Sequence, residues 1–256
     1  MKKLCLLSIV FFIVCAVNAQ TESSVPAQMM LLMWENEVPP SLVQDYEEVV
    51  IKQRSILEKH NFPRSYYVYQ TEDFHYWWLT EIEDFSDVQK QNQEFGAFAS
   101  LMEEEEGFVF GEEFKSKTNY MKPMIFRWLP NLSYIPEGNI KLDQRKYFRW
   151  GYCYVKVGFE AKLQQTWAEY VNLFSENQVE IGWNLYSGIV GTENPFYMWG
   201  EIYDSPLDME TKRANAFKKI AEESDELWNE VMQCLRKFEL KTGWYRPDLS
   251  YIFGND

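Results

Sequence analysis

Histidine is nearly missing from this sequence: His60 and His75 are the two in 256 residues. Neither stands in an HExxH motif, no DxDxDG loop is present, and the scattered acids offer no tight ligand spacing, so no bound metal is expected. MEEEEG at 102–107 reads as a solvated helix face rather than a calcium-collecting loop. A Gly-rich phosphate loop and a G-x-S-x-G elbow are also lacking, which removes the sequence signs of nucleotide binding and serine-hydrolase chemistry. Basic residues are few: 25 Lys and Arg face 39 Asp and Glu, for a formal net charge of −14. A field of that sign repels phosphate backbones, and no locally basic patch offsets it. Nucleic acid and anionic membrane surfaces are therefore not expected as partners.

Long apolar runs are confined to the start, MKKLCLLSIVFFIVCAVNAQ. Two lysines, an apolar core and Val17-Asn18-Ala19 read as a secretory signal cleaved after Ala19. The stretch from Leu4 to Val17 is shorter than the roughly 20 residues of a membrane span. Val14 stands before Cys15 where a lipoprotein site wants a small residue, so lipidation is not expected. Losing Lys2 and Lys3 takes the net charge from −14 to −16. The expected product is soluble and secreted or periplasmic, with 20–27 as a flexible lead. It keeps two cysteines, Cys153 and Cys234, in a compartment that permits oxidation. Cys153 falls on a strand and Cys234 on a helix above it. Such layers lie about 10 Å apart, beyond the roughly 7 Å Cα limit of a disulfide, which favours buried thiols.

Aromatic residues are abundant, at 17% of a chain that is 46% hydrophobic, enough for a large core. They are also arranged twice. RWLPNLSYIP at 127–136 returns as WYRPDLSYIF at 244–253, matching Pro130, Leu132, Ser133, Tyr134 and Ile135 to Pro247, Leu249, Ser250, Tyr251 and Ile252. Upstream, Glu81-Ile82-Glu83-Asp84 corresponds to Glu201-Ile202-Tyr203-Asp204, and Leu42, Tyr46 and Val50 to Leu163, Trp167 and Val171. This is the pattern of a tandem duplication.

Each copy reads the same way. Residues 28–35 and 147–157 suit strands. PPSLVQDYEEVVIKQRSILEKH reads as a helix capped by Ser41, and its counterpart carries Leu163, Trp167, Tyr170 and Phe174 on one face. SYYVYQ with DFHYWWLTEI, and WNLYSGIV with FYMWGEIY, form hairpins. A second helix follows, opened at Ser205-Pro206 in the later copy and broken near Gly107 or Gly111 in the earlier one. The echoed phrase closes the last strand of each copy, where Pro fixes φ and the Ser and Tyr secure the chain. Asn131-Leu132-Ser133 also fits a glycosylation sequon, but Asp248 breaks it in the other copy and it is treated as incidental.

A β-α-β-β-α-β order repeated in tandem resembles the dimeric α+β barrel superfamily. The resemblance implies an α+β fold with two ferredoxin-like modules, 28–136 and 147–256, joined by a polar linker at 137–146 and forming a pseudo-dimeric barrel in one chain. Strand alternation puts His75, Trp77, Leu79 and Glu81 on one face. The repeat matches Trp77, Leu79 and Glu81 to Tyr197, Trp199 and Glu201. With Gly200 matched to Thr80 and placed under a helix, the glutamates would look into the barrel.

Glu81 and Glu201 are therefore the candidate catalytic bases. His75, Trp77, Trp150, Tyr152, Tyr154, Tyr197 and Trp199 are the candidate ligand-binding residues. The plain alternative is that each glutamate sits hydrated at a strand mouth. Some relatives in the superfamily hold haem through a histidine on the second helix; neither histidine falls there, and no cofactor is expected. Three functions follow in order: binding of a small apolar or aromatic molecule, a cofactor-independent oxygenase or isomerase, and an extracellular protein-interaction module whose partner is left open.

Overall fold

The computed structural model describes residues 29–136 and 146–254. The expected leader, the flexible lead and all but the last residue of the expected linker lie outside them. The first half runs β1 (Met30–Glu37), α1 (Val43–Lys59), β2 (Tyr67–Thr71), β3 (His75–Ile82), α2 (Phe85–Glu106), a short α3 (Phe110–Glu113) and β4 (Tyr120–Trp128). The second runs β5 (Tyr147–Val155), α4 (Glu160–Glu176), β6 (Asn184–Val190), β7 (Phe196–Tyr203), α5 (Pro206–Cys234) and β8 (Leu235–Tyr245). Apart from α3, both follow the expected order.

All eight strands close into one antiparallel barrel in the order β1-β3-β2-β8-β5-β7-β6-β4. Each half supplies four neighbours, and the halves meet at the seams β2–β8 and β4–β6. Closure leaves no strand edge open to pair with another chain. Strand alternation then makes two kinds of core. One face fills the lumen with rings and thioethers such as Met33, Trp77, Phe148, Trp150 and Met198. The other face lies under helices, α1 and α2 in the first half and α4 and α5 in the second.

The helices lie down because their apolar positions form stripes at three- and four-residue spacing. α1 buries Tyr46, Val49, Val50, Gln53 and Leu57; α4 buries Leu163, Thr166, Trp167, Tyr170 and Phe174. These two sets stand the same distance apart in the chain as Pro130 and Pro247. Tyr46 therefore corresponds to Leu163, and the sequence match of Leu42 to Leu163 was one helical turn out. Ser41 does not cap α1. It sits inside a 3-10 turn, Pro40–Leu42, and the α-helix begins after it without a side-chain cap. Asp84 caps α2 by accepting from the amides of Ser86 (2.7 Å) and Asp87 (3.1 Å), and Ser205 caps α5 by accepting from Asp208 at 3.1 Å. α2 stops at Gly107, which takes a left-handed φ of 63° that a side chain would resist.

The echoed phrase does more than end a strand: each copy is clasped by the opposite half. After β4, the Ser133 hydroxyl accepts from the Leu185 amide (2.9 Å), and Tyr134 exchanges backbone bonds with Trp183 and donates its hydroxyl to the Val179 carbonyl (2.9 Å). After β8, Ser250 accepts from the Val68 amide (2.8 Å), and Tyr251 exchanges backbone bonds with Tyr66 and donates to the Phe62 carbonyl (2.8 Å). Cys153 and Cys234 are buried free thiols, as expected; burial pushes Cys153 up to about 12 and raises Cys234. Among the described residues no helix is long and apolar enough to cross a membrane.

Candidate functional site

The register of β5 against β7 decides what the second half presents. Trp150 stands opposite Gly200, and Gly151 opposite Trp199. Neighbouring residues on a strand point to opposite faces, so the two tryptophans do as well. Trp150 lies in the lumen, its ring centroid 5.3 Å from Tyr69 and 5.8 Å from Trp77. Trp199 lies under the helices, stacked 6.5 Å from Phe238. Each glycine leaves room for the indole across from it. A Cβ on Gly151 would come within 2.0 Å of Trp199, and one on Gly200 within 3.1 Å of Trp150.

This corrects the face assigned to three residues. Tyr197, Trp199 and Glu201 do not face the barrel; they belong to the helix-covered side, where the Tyr197 hydroxyl accepts from Gln164 of α4 at 2.6 Å. Gly200, placed under a helix from the sequence, faces the lumen instead. Glu81 pairs in register with Leu31 and Ile202 with Phe148, so Ile202 and not Glu201 is the counterpart of Glu81. A shift of one residue reverses every side chain of a strand. Glu81 keeps the expected face but is exposed at its end.

Glu201 instead forms the floor of a cavity of about 420 Å³ between the second half's sheet and α4 and α5. Arg149 of β5 donates to its Oε2 at 3.1 Å, Arg213 of α5 reaches both oxygens at 2.9 Å, and the Tyr203 hydroxyl donates at 2.9 Å. The Arg149 guanidinium lies 4.7 Å over the Trp199 ring and that of Arg213 lies 5.0 Å over Phe217. Burial pulls Arg149 below the usual arginine range, and Arg213 adds to the effect against the pull of Glu201. Burial also acts on Arg213, but Glu201 and Tyr203 more than offset it and raise its value. Two guanidiniums thus share one carboxylate, and Arg149 is the less well compensated.

The walls of this cavity are Trp167, Tyr170, Phe174, Trp183 and Trp228. Trp167 Nε1 is buried with no partner. The roof is interrupted where α5 leaves helical geometry at Ile220 (φ −131°, ψ 21°), between Phe217 and Ser224. Tyr170 donates to the Ser224 carbonyl at 2.7 Å just beyond that break.

A smaller cavity, about 260 Å³, lies at the mouth of the barrel and gathers four of the expected residues: His75, Trp77, Tyr152 and Tyr154. His75 Nδ1 and Glu35 Oε1 are 2.8 Å apart, and Tyr120 donates to the same oxygen at 3.0 Å. Tyr154 donates to Glu239 at 2.9 Å. A third cavity, about 320 Å³, lies in the first half between its sheet and helices, walled by Trp34, Phe62, Trp78 and Phe95.

No family model matches the chain, and no curated protein matches it. Solved structures do. An anthrone oxidase-like protein aligns with a TM-score of 0.59 at 15% identity, over 90% of this chain and 94% of its own. A putative monooxygenase from Lactobacillus acidophilus NCFM aligns at 0.52 and 9%, over 89% and 97%. Chlorite dismutase from Candidatus Nitrospira defluvii, in complex with imidazole, aligns at 0.51 and 10%, over 87% and 93%. The chain has the fold of these α+β barrels, a closed eight-stranded barrel with helices outside.

Identities so low carry the fold and not the chemistry. Neither histidine lies on the second helix of either half and neither lines the second-half cavity, so the residues there do not fit a haem held through a histidine. His75 is at the barrel mouth, and His60, at the end of α1, bonds Glu106 at 2.6 Å. Sequence spacing showed no metal cluster, yet folding brings His60 beside Glu105 and Glu106. Hydrogen bonds from Lys59 and His60 hold the Glu106 carboxyl below its usual range, so Glu106 is already engaged by an ion pair with Lys59 and a hydrogen bond with His60.

Arg149 and Arg213 were missed in the sequence. The available signal was an arginine inside YFRWGYCYV, where apolar and aromatic residues otherwise fill both faces of the strand. Arg213 gave none, because an arginine on a long polar helix reads as solvated.

Proposed function

We propose that this protein binds a small aromatic molecule carrying a negatively charged group, in the cavity between the second half's sheet and α4 and α5. The observation that carries the reading is a pair of largely buried guanidiniums sharing one carboxylate inside a wall of aromatic rings. About 420 Å³ falls within the roughly 300–1,000 Å³ of small-molecule sites. Rings supply area and stacking; the arginines supply orientation, since a guanidinium pairs with a carboxylate in a fixed fork. An incoming anion would supply the charge that Glu201 alone does not. From the sequence a small apolar or aromatic ligand, with no charge specified, is expected inside the barrel; the larger aromatic cavity on the outer face of the same sheet supports the proposed site and adds the charge.

We read the two halves as ferredoxin-like modules bounded at 28–136 and 147–256. Strand orders β4-β1-β3-β2 and β8-β5-β7-β6, together with the repeated clasp, support that reading. Export rests on the leader residues alone.

A second reading makes Glu201 the base of a cofactor-independent oxygenase or isomerase. Its burial in the cavity floor favours this; the three donors that occupy its oxygens oppose it. Native mass spectrometry of protein from its own host would show a retained compound, expected to be an aromatic acid. Titration with 2-naphthoate should quench tryptophan emission in wild type and not in Arg149→Met. Equal binding by both would overturn the reading. Conversion of the bound compound, lost in Glu201→Gln while binding persists, would establish the second.

A further inference from the structure

The first-half cavity occupies the same place in the fold as the second-half one. Constant spacing along the chain sets Gln53 at the place of Tyr170, Tyr66 at that of Trp183 and Leu32 at that of Arg149. On β3, aligned through the Glu81–Ile202 register, Trp78 stands for Trp199 and Thr80 for Glu201. The buried charge is gone, since Leu32 and Thr80 take the places of Arg149 and Glu201.

What remains polar is instructive. Arg64, at the cavity, is engaged by Asp87 at 2.8 Å and by Glu94. Trp78 Nε1 donates to the Tyr46 hydroxyl at 2.9 Å. Gln53 Oε1 and the Tyr66 hydroxyl, however, are buried with no partner, in residues only 3% and 8% exposed, and both residues line the cavity. In the second half, Tyr170 at the place of Gln53 does have a partner, the Ser224 carbonyl. Unpaired buried polar groups are uncommon because each forfeits its bonds to water. A space of about 320 Å³ is roughly ten times the ~30 Å³ share of one water.

We infer that the first-half cavity is a second binding site, for a neutral aromatic or apolar molecule carrying a hydroxyl group. A hydroxyl both donates and accepts, so it can satisfy the Gln53 carbonyl oxygen and the Tyr66 hydroxyl together. Trp34, Phe62, Trp78 and Phe95 enclose the rest. A carboxylate is excluded here, because no cation lining this cavity is free to meet it.

The test uses the full chain with 2-naphthol as probe and naphthalene and 2-naphthoate as controls, followed by calorimetry. Saturable binding of 2-naphthol is expected, weakened about tenfold by Tyr66→Phe or Gln53→Met, the loss of one hydrogen bond. Neither variant should lower the thermal midpoint, since each removes a group that has no partner. Arg149→Met should leave 2-naphthol binding unchanged, although it abolishes 2-naphthoate binding at the other site. The inference is overturned if 2-naphthol does not bind, if both first-half variants bind it as wild type does, or if Arg149→Met abolishes it. In the last case the second-half cavity is the one being read out, and the proposal made for that cavity stands.

Discussion

The two helix-covered cavities show what one architecture can do with two sets of side chains. Each lies on the outer face of a four-stranded sheet, roofed by two long helices and floored by a tryptophan of the third strand, Trp78 or Trp199. In the second half Arg149 and Glu201 of the floor meet Arg213 from the roof; in the first, Leu32 and Thr80 stand at the places of Arg149 and Glu201, and the charged Arg64 is already held by Asp87 and Glu94. The fold fixes where a ligand can sit, and a few substitutions on paired strands decide which charge it must carry.

The strongest break in that comparison is Glu201→Ala. It leaves two largely buried guanidiniums facing each other, and should cost about 3–4 kcal/mol in urea denaturation. Thr80→Ala, at the corresponding first-half position, should cost less than about 1 kcal/mol. Next comes Gly151→Ala. Its new methyl would meet the Trp199 indole and force it toward the cavity, so a loss of about 2–3 kcal/mol and of 2-naphthoate binding is expected; Gly200→Ala, with a looser contact, should cost about 1 kcal/mol.

The clasps sharpen the comparison from the opposite side, because there the halves agree. Ser133→Ala and Ser250→Ala each orphan one buried amide, of Leu185 or Val68, and should cost a similar 1–2 kcal/mol, roughly, by thermal denaturation. The smallest effect is one of pH. Burial alone would raise the Glu47 carboxyl, but hydrogen bonds from Arg246 and Tyr76 more than offset it and hold it below its ordinary 4.5. A depressed carboxyl stabilises the fold above its unfolded value and stops doing so as pH falls through the folded one. Below about pH 4.5, therefore, the tie from α1 to the β8 end should weaken. At the corresponding positions of the other clasp stand Gln164 and Leu129, which do not titrate. Hydrogen exchange in acid should speed at Tyr66 and Tyr251 before Tyr134 and Trp183, and Glu47→Gln should remove the difference.

Element order was legible because period and punctuation repeat: α1 and α4 carry the same buried stripe, and Pro130 and Pro247 the same turn. The face of β7 was not legible. Glu81-Ile82-Glu83-Asp84 and Glu201-Ile202-Tyr203-Asp204 match letter for letter at three of four places, yet Asp84 itself caps α2, whereas α5 is capped one residue later by Ser205. That single residue turns Trp199 and Glu201 from the lumen to the helices, and no alternation pattern reveals it when aromatic residues occupy both faces. His75, Trp77, Tyr152 and Tyr154 meet at one cavity because β3 and β5 keep the alternation that puts them on one face. The arginine pair was hidden by distance, since Arg149 and Arg213 meet only once α5 folds back over β5.

The crossed clasps also bear on how the chain can change over generations. Ser133 and Tyr134 are written in the earlier copy but fasten the later one, and Ser250 and Tyr251 the reverse. Neither half can be trimmed, exchanged or allowed to drift without loosening the other, so the two halves are bound to be inherited as a single unit.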